Sequence, residues 1–76
     1  CVNIIPTVQS IFQWEGAVTE EQESLLVMKT TSEAFREVEA AINAQHSYSV
    51  PEIIAIPIQM GSTAYLSWVR QQVDPL

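Results

Sequence analysis

From Val2 to Trp14 the chain alternates. The even positions read Val2, Ile4, Pro6, Val8, Ser10, Phe12, Trp14, and the odd ones Asn3, Ile5, Thr7, Gln9, Ile11, Gln13. A period of two predicts a strand whose even face is mostly buried. Pro6 has no amide to give a ladder, so a short strand is expected before it, a bend at it, and a longer segment from about Val8 to Glu15. Gly16 breaks the run, and "EGAVTEEQE" reads as a polar connection. "SLLVMKT", Ser24 to Thr30, follows as a second strand, with Leu25 and Val27 on one face and Leu26 and Met28 on the other. Apolar residues on both faces belong to a strand covered on two sides. The two strands make a long antiparallel hairpin. An arm carrying Phe12 and Trp14 outreaches so small a body and is expected to pack against a neighbouring molecule.

"TTSEAFREVEAAINAQH" predicts a helix, because Ala34, Phe35, Val38, Ala41 and Ile42 recur at helical spacing. Thr30 and Glu33 have the spacing of a capping box, with Thr31 or Ser32 as alternative caps. The helix should stop near His46, since Val50 precedes Pro51 and is pushed towards extended geometry. "IIAIPI", Ile53 to Ile58, reads as a third strand, and Pro57 within it marks a bulge or an edge position. After Gly61, Ser62 or Thr63 caps a last helix whose apolar side is Tyr65, Leu66, Trp68 and Val69. The order β-β-α-β-α gives an α+β fold, an antiparallel sheet with helices on one face. A preceding β-α unit would complete the split βαβ, ferredoxin-like plan.

Length and composition sharpen the need for a partner. At 76 residues the chain is one domain, and a core of this size rarely supplies more than ~3–5 kcal/mol. A single cysteine, Cys1, forms no intrachain disulfide, and no Cys/His cluster has zinc spacing. Yet 47% of the residues are apolar, too many for a disordered chain. Self-association is the remaining way to bury them. Nine acidic residues against Lys29, Arg36 and Arg70 give a net charge of −6, which excludes direct nucleic-acid binding and disfavours anionic membranes. No apolar run reaches the ~18 residues of a transmembrane helix, and no basic-then-apolar leader opens the chain. A lone thiol fits a reducing compartment, so a cytoplasmic location is expected.

Chemistry concentrates in "HSYSVPE". His46, the only histidine, suits Cu(II) or Zn(II); the plainer account is an imidazole favoured by the dipole at a helix C-terminus. Glu52 is either a carboxylate ligand or a solvated charge opening a strand. With Tyr48 they resemble an acid–base set, but no nucleophile or oxyanion-hole motif accompanies them, and no catalytic residue is expected. Glu20, Glu21 and Glu23 lack the ligand pattern of a calcium loop and read as a solvated connection. Phe12, Trp14 and Trp68 are read as interface aromatics.

"CVNIIP" at the start, "WEG" at Trp14 to Gly16, "KT" at Lys29 and Thr30, "H-x-Y-x-V-P-E" from His46 to Glu52 and "AYLSWV" from Ala64 together resemble the CutA divalent-cation-tolerance family, in its order and spacing across essentially all of the chain. The resemblance implies a PII-like, ferredoxin-like protomer in a tight homotrimer, with the long hairpin reaching across to neighbours. It also implies a strand and helix ahead of Cys1, so residues 1–76 are expected to be a single CutA-like domain, N-terminally incomplete relative to the family. In members with a copper site, one ligand is a first-strand cysteine that has no match here, Cys1 corresponding to a later one. The others are adjacent histidines closing a helix, and this chain reads Gln45-His46 there, with Ser47 and Ser49 in place of proline and glutamate. His46 and Glu52 match. The function implied is a non-enzymatic homotrimeric protein of divalent-cation (copper) tolerance that binds Cu(II) or a similar ion weakly. The alternative is a PII-like signalling or structural scaffold that takes small ligands or another protein at subunit clefts.

Overall fold

In the computed structural model, which describes residues 1–73, the elements are β1 (Val2–Trp14), β2 (Ala17–Met28), α1 (Phe35–Gln45) and α2 (Thr63–Val73). β1 and β2 form a two-stranded antiparallel sheet running from Val2↔Met28 to Trp14↔Ala17. At about 3.3 Å per residue, the thirteen residues of β1 account for nearly all of the molecule's 45 Å long axis. The expected hairpin is there, and it is longer than the sequence pattern indicated. Only Glu15 and Gly16 form the connection, and "AVTEEQE" continues the strand. That polar run carries no alternation because an arm exposed on both faces needs none; the main-chain ladder to β1 holds it.

The connection is a two-residue turn with both residues at positive φ, Glu15 at 50° and Gly16 at 81°. This is the type I′ geometry whose twist matches that of the flanking strands. Glycine takes such a φ without strain, whereas glutamate does not.

No bend interrupts β1 at Pro6. Instead the register slips between Ile5 and Val8: Ile5 faces Leu25 and Val8 faces Glu23, so Pro6 and Thr7 together oppose Ser24. This is a β-bulge, and it absorbs the proline's missing amide. The Ser24 hydroxyl donates to the Pro6 carbonyl at 3.0 Å and pins it. One extra residue flips the side-chain parity. The even positions of β1 therefore do not share a face. Val2 and Ile4 lie with Leu26 and Met28; beyond the bulge Val8, Phe12 and Trp14 lie with Glu23, Thr19 and Ala17, on the face that also carries Ile5, Leu25 and Val27.

α1 begins five residues after the Thr30 capping position. Thr31 and Ser32 carbonyls accept the Ala34 and Phe35 amides in a tight i→i+3 turn, and no side-chain cap bond forms at Ala34. The capping box is thus pre-empted by the backbone, and the Thr31 hydroxyl is left buried without a partner. The helix ends at Gln45 with His46 as its extended C-cap, as expected. It stands over Leu26 and Met28, with Ala41 and Ile42 lining the far side of an apolar groove of about 310 Å³. α2 is capped by Ser62, whose hydroxyl accepts the Tyr65 amide at 3.2 Å.

The expected third strand does not form. Pro51 to Gln59 runs without turn, bend or helix, yet no backbone hydrogen bond of Ile53–Ile58 is made to any described residue. A strand is defined by its neighbour, and here none is present. The α+β class stands, with two paired strands and a third segment laid out but unpaired. Burial is correspondingly slight: Val69, 6% exposed, is the one buried apolar residue among those described.

Replacing Gly16 by alanine meets no atom within 4 Å of the new Cβ, so its effect is conformational rather than steric. The expected loss is about 1–2 kcal/mol in denaturant unfolding at fixed protein concentration, while Glu15→Asn should raise stability because asparagine tolerates positive φ. Equal stability of Gly16→Ala and the parent would contradict the type I′ turn.

Candidate metal centre

His46 is placed by the end of α1, its amide closing the helix onto the Ile42 carbonyl at 2.8 Å. Its ring is then held by the turn that follows. The Tyr48 amide donates to Nδ1 at 3.0 Å, and the two rings lie 4.8 Å apart at 49°. A neutral imidazole that accepts at Nδ1 carries its proton on Nε2. Neither nitrogen is thereby free: a metal at Nδ1 displaces the Tyr48 amide, and one at Nε2 requires the proton to move. Glu52 lies beyond Pro51, exposed and with no hydrogen bond or ion pair among the described residues. Among those residues no three His, Cys, Asp or Glu side chains converge as a metal site would require. Cys1 is exposed and takes no part in such a cluster. Structural zinc and copper sites need three or four ligands. Neither His46 nor Glu52 belongs to such a cluster among the described residues.

The structure instead joins Tyr48 to the hairpin. The Glu23 carboxylate raises the Tyr48 pKa above the usual phenol value, helped by partial desolvation and by Glu21. Glu21 and Glu23 thus have a neighbour that a reading as solvated connection did not supply. The spacing of 25 residues from Glu23 to Tyr48 gives no local signal; only the hairpin register and the path of the turn bring them together. His46 lies by Leu26 and Met28, on one face of β2, whereas Tyr48 meets carboxylates of the other face.

Residues 1–72 match the family model described as CutA1 divalent ion tolerance protein. The chain belongs to the CutA family. It is 49% identical over 71 residues to the divalent-cation tolerance protein CutA of Thermus thermophilus, covering 93% of this chain and 69% of that protein. It is 44% identical over 70 residues to the chloroplastic protein CutA of Arabidopsis thaliana, covering 92% of this chain and only 38% of that one. Against the solved Cut A1 structure from Thermus thermophilus the TM-score is 0.94 at 47% identity, over 97% of this chain and 72% of that chain. The α+β, ferredoxin-like fold of CutA is thus established for the backbone described above.

The raised Tyr48 pKa sets a pH dependence. Above about pH 10 the unfolded phenol ionises first while the folded one keeps its proton, so stability falls as pH rises through the folded value. In a Tyr65→Phe background, where Tyr48 is the remaining tyrosine, Glu23→Gln should move the tyrosinate absorbance titration down towards the ordinary range. An unmoved titration would separate Tyr48 from Glu23.

Proposed function

We propose that this CutA chain acts as a non-enzymatic homotrimer in divalent-cation tolerance, in which His46 and Glu52 offer ions such as Cu(II) a weak contact. The observation that carries the assembly is the face of the sheet turned away from α1. Ile5, Val8, Phe12, Trp14, Leu25 and Val27 share it, and all but the half-buried Val8 are exposed. A patch of this extent on a small domain marks a surface that another protein covers. The hairpin supplies its own means of reaching a neighbour, and copies of the same chain present the same apolar strip. The number three comes with the family resemblance.

A weak ion contact follows from the donor set. Binding at His46 costs a hydrogen bond or a tautomer change, and a single carboxylate adds little, so an ion exchanges readily. Such a contact suits tolerance of an excess better than tight retention. The acidic balance of −6 favours cations over anions near the surface. A cytoplasmic location is part of this proposal, and a single cysteine is in keeping with a reducing compartment.

Calorimetric titration of Cu(II) into the chain and into His46→Ala should give weak binding that falls about tenfold or more in the variant, with a smaller loss in Glu52→Gln. Equal affinities would remove His46 from the site.

A further inference from the structure

The face of the sheet turned away from α1 is not apolar throughout. Along β2 it carries Ala17, Thr19, Glu21, Glu23, Leu25 and Val27. Glu21 and Glu23 stand opposite Ser10 and Val8, between the aromatic tip of the arm and its aliphatic base. The row continues past the strand. The Lys29 amide donates to the Cys1 carbonyl at 3.0 Å, so the ladder runs one pair beyond Val2↔Met28. Alternation then puts Lys29 in line with Val27. The strip is thus acidic at its middle, apolar towards its base and basic at its end.

Neither charge is answered within the chain. Glu23 and Lys29 lie about 20 Å apart along the strand, too far for their side chains to meet. Lys29 Nζ donates only to the Val27 carbonyl, at 3.4 Å. The group beside Glu23 is the phenol of Tyr48, which carries no charge at neutral pH. Of the three basic residues, Arg36 is held by Glu39 at 2.9 Å on α1 and Arg70 belongs to α2, which leaves Lys29 as the cation of the strip. Covering carboxylates without a counter-charge is strongly unfavourable. Whatever covers this face must therefore bring a cation to Glu21 and Glu23, and another copy carries one in the same strip.

We propose, on the reading that copies of the chain assemble through this face, that Lys29 of one copy pairs with Glu21 and Glu23 of the next and sets the register of the contact. The offset that brings Lys29 level with Glu21 and Glu23 also brings Leu25 and Val27 level with Ala17 and Thr19, the residues opposite Trp14 and Phe12. Ion pair and aromatic cover therefore form together, with the arm of one copy laid over the base of its neighbour. A twofold pairing centred near Leu25 satisfies the same charges but leaves Phe12 and Trp14 past the end of the neighbour's strand. The contact is head-to-tail. Each copy gives Lys29 to one neighbour and its carboxylates to the other, as closure of a ring requires.

Sedimentation equilibrium of the parent is compared with Lys29→Glu, with Glu21→Lys plus Glu23→Lys, and with all three substitutions combined. The first two variants should each raise the dissociation constant about a hundredfold or more, since like charges then face each other. The combined variant restores the pair in reverse and should return to within about tenfold of the parent. Trp14→Glu, which removes the aromatic cover, should disperse the parent and the combined variant alike. Lys29→Glu associating as the parent does, or a combined variant no better than the other two, would overturn the pairing while leaving the assembly in place. A parent that keeps a single-chain mass at every concentration would remove the assembly itself, and the pairing with it.

Discussion

The governing constraint is an apolar surface that the chain does not bury by itself. Close to half of its residues are apolar, yet Val69 alone among the described apolar residues lies below a tenth exposed. Burial at about 25 cal/mol per Å² is the main favourable term in folding, and a two-stranded hairpin is marginal in water without it. The strands nonetheless run along most of the molecule's 45 Å long axis with isoleucine, phenylalanine and tryptophan in view. Covering those residues is what turns a marginal hairpin into a stable one.

The bulge at Pro6–Thr7 decides where that surface lies. Without it, Phe12 and Trp14 would stand on the same side as Val2 and Ile4, towards α1, and beyond Ile5 the far face of β1 would carry Thr7, Gln9, Ile11 and Gln13 instead. With it, the aromatic pair joins Ile5, Leu25 and Val27 on the opposite face. A single inserted residue thus divides the apolar side chains between a face that α1 covers and a face left exposed among the described residues. Ser24, opposite the bulge, fixes it through the Pro6 carbonyl. The turn at Glu15–Gly16 then sets the register of everything between.

Much of this was legible in the sequence where the signal is local. The period of two in β1, the glycine turn, the stop at His46 and the Ser62 cap each rest on neighbouring residues. The rest depended on pairing. The polar "AVTEEQE" belongs to a strand only because β1 lies beside it, and the parity flip follows from a register that Pro6 hints at but does not fix. "IIAIPI" is the converse: a strand by composition that lacks its neighbour. At the candidate site His46 and Glu52 were visible as residue types. The hydrogen bond from the Tyr48 amide to His46, and the influence of Glu23 on Tyr48, come from the turn after α1 and from the hairpin register, which no local pattern encodes.

The central claim is that copies of the chain cover the Phe12–Trp14 face. Sedimentation equilibrium across a range of concentrations tests it most directly. A mass three times that of the chain, falling towards the protomer when Trp14 is replaced by glutamate, is the expected result. A single-chain mass at every concentration, with both indole fluorescences already shielded from quencher, would contradict it.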